Sequence, residues 1–288
     1  THMYTADPTA RVHDGKLFVY PSSDTACPTL TASNNGFCMP GYHVFSTEDL
    51  THWTDHGNVV NHNNVPWVEK NSYGMWAPDA IEKDGKYYLF FPARAKDGVH
   101  FREIGVAIAD APQGPFIPES HYIEGVDGID PSPFIDDDGQ AYLYWGGGET
   151  LYVVKLSDDL KRATTKCKAL EGLPSKYKEG PFMFKRNGLY YFTFPHAPNG
   201  SEAIAYATAD NPLGPFTYQS EIMDRWVDNM WTNHHSIAEY KGQWYIFYHH
   251  HDISEDPHLR SMAVDRLYFD EDGKIKHVPA TKRGIGHV

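Results

Sequence analysis

Short runs of aromatic and β-branched residues recur along the chain, and each follows a polar turn that contains a glycine. After Gly15 the run is Leu17-Phe18-Val19-Tyr20, and similar runs follow four other glycines. Asp-Gly and Asn-Gly pairs tolerate the positive φ angles of a tight hairpin, and the residues after them suit a strand. The pattern therefore predicts five hairpins, over residues 13–20, 83–90, 137–144, 186–193 and 240–247.

The spacing of these hairpins indicates a repeat architecture. The turn glycines lie at positions 15, 85, 139, 188 and 242. About 50 residues is enough for one four-stranded propeller blade with its loops. A second repeat agrees with this, because 110–116 and 210–216 are nearly identical turns two blades apart, and 47–53 and 157–160 resemble their counterparts in other blades.

No amphipathic segment of convincing helical length interrupts this pattern. We therefore expect an all-β fold, a five-bladed β-propeller in a single domain over residues 1–288. A two-sheet sandwich is the alternative, but a sandwich would not require a repeat near 50 residues. The opening Thr1-His2-Met3 has the composition of a cloning remnant, so a natural secretion signal could have been removed with it.

An ionisable residue precedes each of the five turn glycines by six to nine residues. The first strand of a propeller blade lines the central channel, and these strands run in the same direction, so their starts meet at one mouth. Charged side chains are costly there unless they are solvated, paired or functional. The five residues in this register are Asp7, Asp79, Asp130, Glu179 and His234.

Several carboxylates that face one cleft suit glycoside hydrolysis, which needs one protonated acid and one ionised base. Crowding of like charges raises the pKa of one group, so a single site can hold both forms near neutral pH.

The residues that follow these acids in the sequence differ. Asp7-Pro8 and Asp130-Pro131 are predicted in extended segments, because a residue before proline is excluded from the right-handed helical region.

The segments around these residues resemble glycoside hydrolase family 43, and the likeness runs from Asp7 to about Gly273. The resemblance implies that Asp7 is the general base, Glu179 the general acid, and Asp130 the residue that tunes and positions the acid. It also implies inversion at the anomeric carbon. The segments that carry it are 6–8, 76–79, 129–131, 179–181 and 234–236.

The branch of the family is suggested by 42–47 and 249–252, which are similar to β-xylosidases and α-L-arabinofuranosidases. The resemblance implies an exo-acting enzyme that removes terminal β-D-xylosyl or α-L-arabinofuranosyl residues from hemicellulose-derived oligosaccharides. An endo-arabinanase on the same scaffold and a non-catalytic carbohydrate-binding propeller are the alternatives. The sequence does not decide between the two sugars.

The resemblance further implies a calcium ion on the channel axis, near His234 or its neighbour His235. Calcium prefers oxygen ligands, so a mainly water-filled shell beside one imidazole is expected. A hydrogen-bonded histidine without metal is the alternative. The cluster at 249–251 is interpreted as mostly structural, because adjacent residues on a strand point to opposite faces.

Sugars present apolar C–H faces that stack on aromatic rings. Trp76, which lies in a family motif, is the first candidate platform, and Phe37 and Trp145 are further candidates. Arg260 resembles a family arginine that reaches substrate hydroxyls, and a surface arginine is the alternative. Most of the chain's 41 aromatic residues are expected to pack between blades.

The composition of the chain limits the classes of binding partner. The net charge is −13 and no long run of Lys or Arg occurs, which excludes a typical nucleic-acid or anionic-membrane surface. No apolar run is long enough to span a bilayer.

Cys27 and Cys38 either form a disulfide or remain thiols. A disulfide would suit a secreted or periplasmic protein, and a cytoplasmic location is the alternative. The oligomeric state is not predicted.

Overall fold

The structure is a computed structural model that describes residues 3–28, 34–177, 179–223, 232–281 and 284–285. Thr1 and His2 of the expected cloning remnant lie outside these residues. The described chain forms five antiparallel sheets that are arranged as a five-bladed β-propeller, as the repeat predicted. Within the described residues, no helix is long and apolar enough to cross a bilayer.

The strands of each blade follow one another in the sequence. Blade I contains β1 (Tyr4–His13), β2 (Lys16–Asp24), β3 (Gly41–Thr47) and β4 (Trp53–Asn61). Blade II contains β5 (Asp79–Lys83), β6 (Lys86–Ala93), β7 (Glu103–Ala109) and β8 (Ile117–Pro118). Blade III contains β9 (Ile129–Ile135), β10 (Ala141–Gly146), β11 (Leu151–Lys155) and β12 (Lys168–Ala169). Blade IV contains β13 (Phe182–Arg186), β14 (Leu189–His196), β15 (Ala203–Ala209) and β16 (Thr217–Met223). Blade V contains β17 (His235–Tyr240), β18 (Gln243–His250) and β19 (Ser261–Leu267).

All five predicted turn glycines lie between the first and second strands of their blades. Each has a positive φ, from 72° at Gly85 to 83° at Gly139. In four blades the preceding residue also has a positive φ, as at Asp14 and Asn187, which is the geometry of a type I′ hairpin. The second repeat is confirmed as well. Residues 110–116 and 210–216 connect the third and fourth strands of blades II and IV, and each contains a cis Gly-Pro bond.

The hydrophobic core is divided into layers between neighbouring blades. Alternation along each strand sends successive side chains to opposite neighbours. On β10, Tyr144 packs against blade IV, whereas Leu143 and Trp145 pack against blade II. Equivalent layers fill the other three interfaces, between blades I and II, IV and V, and V and I. Buried aromatic residues dominate these layers, as expected for most of the aromatic content.

The first strands of the blades form the inner ring. Contacts join β1 to β5 and β17, β9 to β5 and β13, and β13 to β17. Blades I and V meet without sharing a strand, and a backbone hydrogen bond from Thr5 N to Arg260 O (3.0 Å) joins them near the mouth of the channel. This seam therefore lies beside the start of β1.

Candidate active site

A cavity of about 420 Å³, partly open to solvent, lies at the mouth where the inner strands begin. It gathers four of the five ionisable residues that the sequence places in register, from blades I, III, IV and V. The lining residues are Asp7, Phe37, Met39, Trp76, Ala77, Ile129, Asp130, Glu179, Glu202, Thr232, Asn233, His234 and Arg260.

Asp7 and Asp130 reach the cavity from matching β-bulges. In β1, Asp7 and Pro8 together oppose one residue of β2, and in β9, Asp130 and Pro131 oppose one residue of β10. The φ angles of the two aspartates are 51° and 57°, so the predicted extended conformation is wrong at these residues. Proline excludes only the right-handed helical region for the residue before it, and the bulge uses the left-handed one. The same β-bulge geometry therefore directs both carboxylates into the cavity.

Asp7 is buried and held by three neighbours. Its Oδ1 accepts a hydrogen bond from Arg260 Nη1 (3.1 Å), and its Oδ2 accepts one from Ser22 Oγ (2.5 Å). Its backbone N donates to Nδ1 of His249 (3.0 Å). Burial alone would raise the pKa of Asp7, but the Arg260 guanidinium and its other neighbours lower it below the ordinary value. Asp7 is therefore ionised at neutral pH.

Arg260 is itself fixed by Asp24 at the end of β2. Its Nε donates to Asp24 Oδ2 (2.8 Å) and its Nη2 donates to Asp24 Oδ1 (2.9 Å), so the pair is bidentate. The guanidinium carbon also lies 4.7 Å from the ring centre of Phe37. Arg260 is only 3% exposed, which contradicts the alternative of a surface arginine. Most of its donors are used by protein carboxylates.

Asp130 and His234 are neighbours in the lining of the cavity. Asp130 Oδ2 lies 3.7 Å from His234 Nδ1, and both side chains are buried. Burial lowers the pKa of His234, but Asp130 and the more distant acids raise it above its ordinary value. His235 points elsewhere, because its Nε2 lies 2.6 Å from Thr193 Oγ1 of blade IV. Of the two histidines, His234 is therefore the one that lines the cavity.

Glu179 lies just before β13, and close backbone packing sets its position. A Cβ on Gly146 would lie 2.7 Å from the Cβ of Glu179. Blade III can therefore approach Glu179 this closely only because position 146 is a glycine. Gly180 has a φ of 82°, and a Cβ there would lie 3.2 Å from His234 Nδ1. Two glycines thus let the acid and the histidine approach from neighbouring blades.

The three candidate sugar platforms separate in the structure. Trp76 and Phe37 line the cavity, where they pack with Met39 and Ile129. Trp145 does not line it. Trp145 lies on the second strand of its blade, where alternation directs the ring into the interface with blade II, and its Nε1 donates to Asp127 O (2.9 Å). An inner-strand position would have been needed to bring it to the channel mouth.

The fifth residue of the register, Asp79, lies outside the cavity lining. Its carboxylate forms a bidentate pair with Arg11 of β1, with Nη2 distances of 2.7 and 2.8 Å. The sequence reasoning missed Ser22, Asp24 and Glu202. Hairpin pairing signals the first two, since β2 returns along β1 and pairs Ser22 with Ala6. Glu202 directly precedes β15, and no sequence signal indicates it.

The chemistry of the cavity residues bears on the expected calcium site. No group of three or more His, Cys, Asp or Glu residues within the described ranges is arranged to hold a metal ion. His234 contributes one imidazole. A calcium ion beside it would therefore need water for most of its six to eight ligands, which fits the water-rich shell expected from the sequence.

Comparison with known proteins identifies the family. A family model described as glycosyl hydrolases family 43 matches residues 3–275. The chain belongs to glycoside hydrolase family 43. It is similar to a xylosidase/arabinosidase 43A from Humicola insolens, which is 38% identical over 96% of this chain and 97% of that protein. A β-xylosidase from Xylanibacter ruminicola is also 38% identical, over 96% of this chain and 97% of the relative.

Solved family 43 structures share the fold. The structure of CoXyl43, a β-xylosidase/α-arabinofuranosidase from a compost microbial metagenome, superimposes with a TM-score of 0.88. It is 37% identical, and the match covers 97% of this chain and 96% of that one. That structure is described as a xylotriose complex in a calcium-free form. The protein is thus a family 43 glycoside hydrolase.

Proposed function

We propose that this family 43 enzyme is an inverting exo-glycosidase that releases terminal β-D-xylosyl or α-L-arabinofuranosyl residues from hemicellulose-derived oligosaccharides. The observation that carries the proposal is the cavity shared by Asp7, Asp130 and Glu179, in which Arg260 keeps Asp7 ionised. The named activities of the relatives from Humicola and Xylanibacter support the choice of sugars.

Asp7 would act as the general base. A water molecule attacks the anomeric carbon from the side of Asp7, and the carboxylate accepts a proton from that water as the new C–O bond forms. Arg260 and Ser22 orient the carboxylate through hydrogen bonds to both of its oxygens. They also hold its pKa low enough for it to start the reaction without a proton.

Glu179 would act as the general acid. It donates a proton to the glycosidic oxygen as the bond from that oxygen to the anomeric carbon breaks. Asp130 and His234 line the same cavity, and we assign them the task of positioning the acid and balancing its charge. In an inverting enzyme the two catalytic carboxyls are separated by about 6.5–9.5 Å to admit the water.

We also infer a calcium site beside His234 and a location outside the cytoplasm. The calcium-free description of the CoXyl43 structure supports the first inference, and a bound ion would add positive charge near Asp130. A disulfide between Cys27 and Cys38 supports the second, because such bonds persist in oxidising compartments.

The test compares Asp7→Asn and Glu179→Gln with the wild-type enzyme on aryl β-xylosides and aryl α-arabinofuranosides. Each variant should lose on the order of 10²–10⁴-fold in kcat/KM on a poor leaving group. A dinitrophenyl leaving group needs little protonation. A substrate that carries it should therefore recover more of the lost kcat/KM in Glu179→Gln than in Asp7→Asn. NMR of the first product should show the inverted anomer.

Glu171→Gln is the matched control, because Glu171 is an exposed acid and does not line the cavity. This control should retain wild-type rates. Wild-type rates in both cavity variants would overturn the catalytic assignment. Retention of configuration would overturn the inverting mechanism alone.

A further inference from the structure

The ring of Phe37, which forms part of the cavity wall, is held by a loop of the neighbouring blade. Phe37 belongs to blade I and lies between β2 and β3, whereas residues 251–260 connect β18 to β19 in blade V. The guanidinium carbon of Arg260 lies 4.7 Å from the centre of the Phe37 ring. The centre of the His258 ring also lies 4.7 Å from it. The position of this candidate sugar platform therefore depends on blade V.

Both ring nitrogens of His258 lie beside oxygen atoms. Nδ1 is 3.1 Å from Asp256 Oδ1 on the same loop, and Nε2 is 3.1 Å from the backbone O of Asn35 on blade I. A carboxylate and a carbonyl oxygen accept hydrogen bonds but cannot donate them. The two contacts are therefore both hydrogen bonds only when each ring nitrogen carries a proton. This is the geometry of an imidazolium ion that joins blade V to blade I.

The charges around His258 favour a proton on Nδ1. Hydrogen bonds from the backbone N of His258, and then from its ring, lower the pKa of Asp256 below its ordinary value, so Asp256 is a carboxylate at neutral pH. The facing segment of blade I, residues 25–38, contains no Asp, Glu, Lys, Arg or His. The charge of Arg260, which contacts the same Phe37 ring, is balanced by a bidentate carboxylate. The other titratable side chains of the loop are His251, Asp252 and Glu255.

Loss of one proton would break the bond between the blades rather than the bond within the loop. A neutral histidine ring has a single N–H. The Asp256 carboxylate would hold that hydrogen on Nδ1, because a hydrogen bond to a charged acceptor is about twice as strong as one to a neutral acceptor. Nε2 would then present its lone pair to the Asn35 carbonyl oxygen, which repels it. Histidine side chains ordinarily change charge between pH 5 and 8, so pH separates the two forms.

The turn that carries Phe37 fits closely around the histidine ring. Asn35 and Gly36 have positive φ angles of 53° and 83°, and the backbone N of Phe37 donates to Asn34 O (3.0 Å). A Cβ on Gly36 would lie 2.8 Å from His258 Nε2. A displacement of the histidine ring therefore displaces this turn, and the aromatic ring at its end moves with it.

We propose that His258 is a positioning residue whose doubly protonated ring holds Phe37 in place against the sugar in the cavity. The inference rests on the proposed glycosidase function, in which Phe37 contacts the substrate. Substrate affinity is then greatest at acidic pH, where both ring hydrogen bonds form. It falls as the pH rises and the bond to Asn35 is lost. His258 takes no part in the proton transfers, which remain with Asp7 and Glu179.

The experiment compares kcat and KM of His258→Gln and the wild type at pH 5.5 and pH 8, on whichever aryl glycoside the wild type hydrolyses faster. At pH 5.5 the variant should have a KM about threefold to fivefold higher, the value of one hydrogen bond at a partly exposed site. Its kcat should stay within about twofold, because a platform binds the ground state and the transition state alike. At pH 8 the KM ratio of variant to wild type should fall toward one, since the wild-type ring has then lost the same bond. His121→Gln, at an exposed histidine outside the cavity lining, should match the wild type at both pH values.

A second variant tests the partner of the ring. Asp256→Asn keeps the shape of the side chain and removes its charge, so a neutral His258 ring is free to carry its proton on Nε2. The bond to Asn35 then survives at pH 8, and KM at that pH should be about threefold lower than in the wild type. At pH 5.5 the two proteins should have the same KM.

The outcomes separate this inference from the function on which it rests. A KM ratio for His258→Gln that does not change with pH would reduce His258 to a structural role and overturn the inference. An unchanged KM in both variants would also overturn it, and in either case the hydrolase function stands. Failure of the wild-type enzyme to hydrolyse both aryl glycosides would instead overturn the proposed function, and the role of His258 with it.

Discussion

Asp24 and Arg260 form a buried bidentate ion pair between blades I and V, with N–O distances of 2.8 and 2.9 Å. The backbone N of Arg260 also donates to Asp24 Oδ2 (2.8 Å). Neither residue is assigned a proton transfer in the proposed reaction, yet Asp24 fixes the guanidinium that contacts Asp7. The pair therefore links the seam of the ring to the ionisation of the general base.

Removal of one partner should destabilise the fold strongly. Asp24→Ala leaves the Arg260 charge buried with Asp7 as its one remaining hydrogen-bonded carboxylate among the described residues, so the free energy of unfolding should fall by about 3–5 kcal/mol. Chemical denaturation measures this. Asp158→Ala is the control, because its pair with Lys83 involves a carboxylate that is 99% exposed, and it should cost far less. Equal costs for the two variants would contradict the role of the buried pair.

Arg260→Met should move the acid limb of the pH–rate profile upward. The guanidinium lowers the pKa of Asp7, so its removal raises that pKa. A general base works only when ionised, and activity is therefore lost at a higher pH as the solution is acidified. The profile of kcat/KM between pH 3 and 7 tests this. Arg266 is an exposed neighbour on β19, so Arg266→Met should leave the acid limb of the profile unchanged. An unchanged acid limb in Arg260→Met would count against Asp7 as the base.

The disulfide between Cys27 and Cys38 should support substrate binding more than turnover. It closes a loop that carries Phe37 and precedes Met39, and both of these line the cavity. Cys27→Ser should cost about 2–4 kcal/mol of stability and raise KM more than it lowers kcat. Cys167→Ser, which changes an exposed free thiol, should alter neither. A wild-type KM after reduction of the disulfide would refute this link.

Calcium should bind at one site and depend on His234. Metal analysis after dialysis against calcium should find about one ion per chain, and calcium should raise the melting temperature of the stripped protein. His234→Gln should lose both effects, whereas His121→Gln, at an exposed histidine, should keep them. A stripped protein with full activity and no calcium uptake would remove calcium from the proposal.

The repeat made most of the fold predictable. Turn chemistry is local, so Gly15 and its four counterparts mark their hairpins without knowledge of the rest of the chain. The register then placed Asp7, Asp130, Glu179 and His234 at one mouth, where the structure has them. Asp79 shares the register but not the cavity, because Arg11 from the neighbouring inner strand binds its carboxylate.

The remaining parts of the site depend on contacts that the register does not specify. Asp24 acts through Arg260, which is 236 residues away in the sequence. Alternation along β10 decides the direction of the Trp145 side chain. A correct prediction of that direction needs the knowledge that β10 is the second strand of its blade. The left-handed φ of Asp7 comes from a bulge, and a bulge is set by pairing with β2 rather than by the Asp-Pro dipeptide.

The seam between blades I and V has a consequence for the order in which the enzyme becomes competent. The ribosome synthesises Asp7 before its two partners, since His249 follows 242 residues later and Arg260 follows 253 residues later. Blades I to IV can pack against one another before either partner exists, since each layer joins consecutive blades. The base acquires its charge partner only when the ring closes. Hydrolytic activity would therefore report completion of the ring, and a nascent chain that stops before Arg260 would carry the acids without a working site.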